Sequence, residues 1–319
     1  MTIAVLGAGA FGTSLAIALA RADRTVTLCA RDAETADSLR DAGENRARLP
    51  GTALPAALSI AGPDAAATAQ VILLAVPMQT LAALLDRGPR WSGQRLIACC
   101  KGIDLASGDG PVTVIERQAP NARAALLSGP GFAVDIAAGL PTALTVAARD
   151  DSIAAELQDL LSTPALRLYR STDVAGVELG GALKNVIAIA CGMAIGAGLG
   201  ESARAALISR GFAEMNRLAR ARNVRPETLA GLSGLGDLVL TCTSEKSRNF
   251  SFGLRLGRDG RADPTATTEG IATARAMAAI AARDGLDMPV TAAIAAVLDG
   301  QLTVQQAANA LLARPLRSE

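Results

Sequence analysis

The sequence predicts an α/β domain built on a doubly wound parallel sheet, followed by an all-α domain. Three observations carry this. Short apolar runs alternate with helical segments through the first half. A glycine-rich turn, GAGAFG at 7–12, joins the first run to the first helix. From Asp173 onward strand signals fade and helical periodicity takes over. At 319 residues the chain has room for two cores. With half the residues hydrophobic and only 2% aromatic, those cores are built from Ala, Leu, Val and Ile.

Residues 2–6 (TIAVL) form a short apolar run, as expected of a strand buried on both faces. The glycine-rich turn follows, then a helix over Thr13–Ala22 and a second strand over Thr25–Cys29. GxGxxG alone is a weak signal, but here it ends a strand, opens a helix and lies within one βαβ unit. In that setting Gly7 makes the tight turn, Gly9 lets backbone amides approach a pyrophosphate, and Gly12 allows close helix–strand packing. The pyrophosphate of a dinucleotide rests at the positive end of the helix. An NAD enzyme places Asp or Glu at the end of the second strand for the ribose hydroxyl. This chain has Arg31 followed by Asp32. Arg31 suits the 2′-phosphate of NADP(H), which is the expected preference, while Asp32 leaves NAD(H) use open.

Further strands are expected at 71–76, 95–100, 124–128, 142–147 and 166–169, all in a parallel sheet, with the Rossmann-type dinucleotide-binding domain spanning 1–172. Ligands of open α/β sheets bind outside the carboxyl ends of the strands. The loops at Val76-Pro77, at Cys100 to Gly102 and at Ser128 to Phe132 should therefore rim the crevice.

Composition excludes several classes of function. A net charge of +1 without a basic block, and few aromatic side chains, argue against nucleic acid as a partner. Histidine is absent, so there is no imidazole base and no histidine metal site, and no metal is expected. Only Lys101, Lys184 and Lys246 are lysines among 31 basic residues. Arginine replaces lysine on most solvated surfaces, so a retained lysine marks a need for a compact charge or an amine that can lose its proton. The five cysteines form no CxxC pair and read as buried free thiols, with Cys99 and Cys100 on opposite faces of a strand. Met1 to Ala20 is uncharged but lacks a basic n-region and is interrupted by glycines. Asn185 to Gly200 is shorter than the roughly 20 residues of a spanning helix. The expectation is a cytoplasmic protein without stable membrane insertion; a homodimer is compatible with the sequence.

The second half, 173–319, reads as a helical substrate domain. Helices are expected at 203–221, 272–283 and 304–313. In the first, Leu207, Ile208, Met215 and Leu218 share one side, with Arg204, Arg210, Glu214 and Arg217 opposite. Four stretches depart from this pattern. GGALKNV at 180–186 places Lys184 in an apolar helix, and GLSGLGD at 231–237 sets a carboxylate after a glycine-rich turn. KSRN at 246–249 clusters polar and cationic groups, and TEG follows at 268–270.

Taken together the motifs resemble the bacterial NAD(P)-dependent glycerol-3-phosphate dehydrogenase family. They are GAGxxGT at 7–13, KG at 101–102, SGPxFA at 128–133, GLPTA at 139–143, GGALKNVIAI at 180–189, GLGDLVLTCT at 234–243, SRN at 247–249 and EG at 269–270. They run in family order over nearly the whole chain. The resemblance implies a Rossmann domain, a helical substrate domain, and NAD(P)H-dependent reduction of dihydroxyacetone phosphate to sn-glycerol 3-phosphate for phospholipid synthesis. It implies that Ala10, Phe11, Arg31 and Ala133 contact the cofactor and that Lys101 touches cofactor and substrate. Gly129 and Gly131 line the substrate, and Lys184 is the proton acceptor. Asp237, Ser247, Arg248 and Asn249 complete the substrate site, while Arg248 and Glu269 approach the nicotinamide nucleotide and Thr267 contacts the cofactor through its backbone. Two stretches depart from the family: Gly131 stands where Ser or Thr is usual, and Thr267-Thr268 where two valines are usual.

The chemistry agrees. Hydride transfer to a ketone builds negative charge on its oxygen, which an adjacent ammonium stabilises and then protonates. Arginine cannot give up its proton, so Lys184 is the residue an arginine-rich chain has to keep. A β-hydroxyacid or 6-phosphogluconate-type dehydrogenase is the alternative, opposed by GLGDLVLTCT and SRN. A non-catalytic NAD(P)H sensor is a second, which leaves Lys184 and Asp237 without a task.

Overall fold

The computed structural model describes residues 1–89, 91–260 and 269–313. The chain separates into two compact units, Met1–Glu178 and Leu179–Glu319.

The first unit is an eight-stranded sheet flanked by helices. In chain order its elements are β1 (Ile3–Leu6), α1 (Ala10–Ala20), β2 (Val26–Cys29), α2 (Ala33–Ala42) and β3 (Ser59–Ala61). They continue with β4 (Val71–Leu74), α3 (Met78–Arg87), β5 (Arg95–Ala98), α4 (Pro111–Gln118) and β6 (Arg123–Ser128). Then come α5 (Ala133–Ala137), β7 (Thr142–Ala147), α6 (Asp151–Leu161) and β8 (Leu166–Ser171). The strand order is β3-β2-β1-β4-β5-β6-β7-β8, so the chain reverses direction across the sheet beside β1. Every residue of β1 is buried, which is why its sequence does not alternate. Ile3 and Val5 enter one core with Leu15 and Leu19 of α1, whereas Ala4 and Leu6 enter the other with Met78 and Leu81 of α3. Cys99 and Cys100 divide between the same two cores, as expected of adjacent residues on an extended chain.

Two features differ from the sequence expectation. The three-residue edge strand β3 is too short to stand out as an apolar run in the sequence. The sheet is also not wholly parallel, because β7 pairs with β6 antiparallel, Leu126 facing Ala147. A parallel return needs a crossover long enough to regain the far edge of the sheet. The connection between β6 and β7 holds only the five-residue helix α5, so β7 starts at the edge where β6 ends. The five cysteines are buried free thiols; burial pushes Cys29 up to about 11 and Cys99 to about 12.

The second unit is helical among its described residues. Helix α7 (Val174–Gly196) begins in the first unit, and α8 (Gly200–Ala221), α9 (Pro226–Ala230) and a single π-helical turn (Leu232–Gly236) follow. After them come α10 (Asp237–Cys242), α11 (Arg248–Asp259), α12 (Glu269–Arg283), α13 (Pro289–Leu298) and α14 (Val304–Leu312). At 23 residues α7 exceeds the uncharged stretch seen in the sequence. By length and composition it could cross a membrane, yet 83% of its apolar window is buried inside the protein, as in a core helix.

Helices α7 and α11 meet backbone to backbone. A Cβ at Gly192 or Gly196 would strike the carbonyl of Phe250 or Leu254, and one at Gly253 or Gly257 would strike Ile189 or Met193. Two pairs of glycines four residues apart, one pair on each helix, make this approach possible. Around it Val186, Ile189, Met193, Phe252 and Leu256 pack with Ala274, Ile294 and Val297.

Glu214 corrects the expected face of α8. It is buried with Met215 and Leu218, whereas Arg210 is exposed and Arg204 and Arg217 are half-buried. Its carboxylate accepts Val290 N at 2.5 Å, Thr291 N at 3.1 Å and the Thr291 hydroxyl at 2.8 Å, holding the amide end of α13. Three donors at a positive helix terminus compensate a buried carboxylate, and the periodicity of α8 cannot show a partner so distant in sequence.

Candidate active site

In the first unit the candidate residues begin at the turn between β1 and α1. Gly7 has φ +112°, and a Cβ there would lie 2.5 Å from the Ala75 carbonyl. At Gly12 an added Cβ would strike the Gly7 carbonyl. Gly9, the residue before α1, has no atom within 4 Å of where a Cβ would stand. Close packing behind and open space in front suit a turn that receives a phosphate against the helix end. Ala10 and Phe11 open α1, and Phe11 packs partly into the core.

Arg31 follows β2 with its side chain 85% exposed and its Nε 3.0 Å from Asp32 Oδ2. Asp32 has a second task. Its Oδ1 accepts Thr35 N at 2.7 Å and caps α2, and these Thr35 hydrogen bonds hold its carboxyl below the usual range.

Lys101 follows β5 and donates from Nζ to the Gly129 carbonyl after β6, 3.2 Å away. Gly129 has φ +138°. The Gln79 carboxamide of α3 holds the Lys101 loop, donating to Ile103 O at 2.8 Å and accepting Leu105 N at 3.1 Å. A Cβ on Gly131 would come within 3.2 Å of Ile136, Thr142 and Leu144 side chains. Apolar neighbours therefore take the direction in which a serine or threonine would extend. Ala133 is the first residue of α5.

The second unit brings Lys184 and Asp237 together. Lys184 lies in the middle of α7, only 7% exposed, and does not reach to solvent as a helix-end lysine would. Its Nζ donates to Asp237 Oδ1 at 2.6 Å and to Thr241 Oγ1 at 2.9 Å. The Thr241 hydroxyl lies 3.3 Å from the same Asp237 oxygen. Asp237 is the first residue of α10 and is 1% exposed. The π-helical turn delivers it, and α7 approaches that turn at Gly180, where a Cβ would lie 2.5 Å from Ser233 O. Thr241 is a partner of Lys184 that the sequence motifs do not single out. Its signal was its position one helical turn after Asp237, on the same face. Burial raises the neighbouring Cys242 thiol well above its ordinary value, so it stays protonated beside the pair.

Ser247, Arg248 and Asn249 lie at the start of α11. Ser247 caps the helix, its Oγ accepting Phe250 N at 3.2 Å, and Arg248 is exposed at the first helical position. Asn249 donates to Asn185 Oδ1 at 2.9 Å and accepts Gly270 N at 3.1 Å, tying α7, α11 and α12 together. Glu269 is the first residue of α12, and Thr267 lies outside the described residues. A helix N-terminus beside a guanidinium is suited to an anion, and a buried ammonium beside a carboxylate to proton transfer.

Two family profiles match the chain in order. The N-terminus of NAD-dependent glycerol-3-phosphate dehydrogenase matches residues 2–154, and its C-terminus matches 173–309. The chain belongs to this dehydrogenase family. It is 59% identical to a glycerol-3-phosphate dehydrogenase (NAD(P)+) of Ruegeria sp., covering all of both chains. A glycerol-3-phosphate dehydrogenase (NAD(P)+) of Cereibacter sphaeroides is 54% identical over 99% of this chain and all of that one. The crystal structure of glycerol-3-phosphate dehydrogenase from Coxiella burnetii superposes with a TM-score of 0.91 at 35% identity, covering 98% of this chain and 99% of that one.

Proposed function

We propose that this glycerol-3-phosphate dehydrogenase family member reversibly reduces dihydroxyacetone phosphate to sn-glycerol 3-phosphate with NADP(H), accepting NAD(H) less well. The product feeds phospholipid synthesis. The observation that carries the reading is Lys184 held by Asp237 and Thr241 in a buried setting. When bound, the nicotinamide supplies the hydride. Lys184 stabilises the developing alkoxide and gives it a proton; in the oxidative direction it takes that proton back. Asp237 and Thr241 orient the amine, and Asp237 supplies the negative charge that balances it.

Residues 1–172 serve as the dinucleotide domain and 173–319 as the substrate domain. The turn from Gly7 to Gly12 and Ala133 receive the cofactor, and Arg31 meets the 2′-phosphate. Lys101, Gly129 and Gly131 face the substrate. Ser247, Arg248 and Asn249 serve the substrate phosphate at the start of α11, where Arg248 pairs with it. Arg248 and Glu269 also serve the nicotinamide nucleotide, and Thr267 contacts the cofactor through its backbone. The enzyme acts in the cytoplasm, as a homodimer.

Purified protein with NADPH and dihydroxyacetone phosphate tests the reading, followed by loss of NADPH absorbance. Turnover is expected. No oxidation with this substrate, or turnover only with a β-hydroxyacid couple, overturns it.

A further inference from the structure

Asn45 lies between α2 and β3, far in sequence from the glycine-rich turn, and is only 3% exposed. Its carboxamide reaches that turn. Nδ2 donates to Ala8 O at 3.0 Å and to Thr13 Oγ1 at 2.8 Å. An amide nitrogen carries two N–H bonds, so one grips the turn and the other the first turn of α1.

The segment presenting Asn45 is itself anchored. Leu49 N donates to Asn45 O at 2.7 Å, and the Leu49 side chain packs into the core with Ile3, Val5 and Leu15. Leu54 N donates to Gly43 O at 2.8 Å, and Gly51 N to Glu44 Oε1 at 2.7 Å, closing the loop on itself. The carboxamide therefore approaches the turn from a fixed support.

Its hold on Ala8 O decides where the next amide points. In a trans peptide the C=O and N–H bonds point in opposite directions, and the described chain contains no cis peptide. Drawing the Ala8 carbonyl toward Asn45 turns the Gly9 N–H to the other side of the peptide plane. With the peptide reversed, a carbonyl oxygen would take the place of that amide and repel an anion.

We propose that Asn45 is a positioning residue for the dinucleotide: it locks the Ala8–Gly9 peptide with its N–H outward, toward the pyrophosphate. The inference rests on the dinucleotide-binding reading above and assigns a residue outside the GxGxxG turn to it.

Asn45→Asp tests it, because the shape is kept while a carboxylate oxygen replaces the donor facing Ala8 O. NADPH affinity is measured by its fluorescence on binding, alongside kcat and KM for dihydroxyacetone phosphate at saturating NADPH. The Kd for NADPH is expected to rise about tenfold or more, the loss of one well-placed hydrogen bond and its replacement by repulsion. KM and kcat for dihydroxyacetone phosphate should stay within about twofold of wild type, a split that general loosening of the fold would not produce. Unchanged NADPH affinity in a folded Asn45→Asp overturns the inference. Should that variant not fold, Asn45→Ala decides by the same split: weaker NADPH binding supports the assignment, and wild-type binding overturns it. Wild-type protein that does not bind NADPH overturns the dinucleotide reading itself, and the inference with it.

Discussion

Lys184 Nζ and Asp237 Oδ1 lie 2.6 Å apart with both side chains nearly closed to water, although 53 residues separate them in the chain. An ion pair in this setting is strong only while both partners are present, because either charge alone remains buried and uncompensated.

Lys184→Ala should lower kcat by about a thousandfold, within the usual range for loss of a general acid, and leave NADPH binding nearly intact. Lys184→Arg keeps the charge but cannot release a proton, so oxidation of glycerol 3-phosphate should fail as badly. Steady-state rates in both directions, with NADPH titrations, check this. An active arginine variant would remove Lys184 from proton transfer.

Asp237→Asn leaves the ammonium buried without its counter-charge. Breaking such a pair costs about 3–5 kcal/mol, so the urea midpoint should fall clearly. The double change Lys184→Met with Asp237→Leu should be more stable than Asp237→Asn, though inactive. Equal or lower stability of the double variant would contradict the electrostatic account.

Gly253→Ala places a methyl group against the Ile189 carbonyl at the α7–α11 contact. Overpacking of this kind costs about 1–3 kcal/mol or more, and activity should fall too because α7 carries Lys184. Gly62→Ala, where no atom lies within 4 Å of the added Cβ, is the control and should change little. Denaturant midpoints and kcat of the two variants provide the comparison.

Glu178, in the first turns of α7, accepts Val112 N at 2.8 Å and presses on Gly110. Burial pushes its carboxyl up to about 7, the largest influence on it. Between its ordinary 4.5 and about 7 the folded protein holds a proton that the unfolded chain releases. Stability therefore falls as pH rises through this window and levels off above it. Glu178→Gln keeps an acceptor for Val112 and removes the charge. Its stability relative to wild type should rise from pH 4.5 to 7 and stay level above that, as read from melting temperatures across pH.

Arg31→Ala should lower kcat/KM for NADPH by about tenfold, the loss of one charge-assisted contact to the 2′-phosphate. The value for NADH should change much less, since no phosphate stands there. Parallel assays with the two cofactors measure the ratio, and an unchanged ratio would place the discrimination elsewhere.

Much of this protein was legible along the chain. The strand–turn–helix at 1–20, the alternation behind the sheet, and Lys184 as a residue the composition singled out depend on local periodicity, glycine placement and side-chain chemistry. Those properties act between neighbours, so one pass along the sequence exposes them. The direction of β7 does not belong to this set, nor do the burial of Glu214, the α7–α11 glycine contact and the reach of Asn45 to Ala8. Each depends on where a distant segment comes to rest: the Val290 amide over Glu214, the Phe250 carbonyl against Gly192, the Ala8 carbonyl beneath Asn45. Residue types and local geometry determined a dinucleotide turn and an amine able to carry a proton. Only tertiary packing decided which carboxylate holds that amine and which amide aims the turn, because desolvation and hydrogen-bond direction arise when remote segments close on one another.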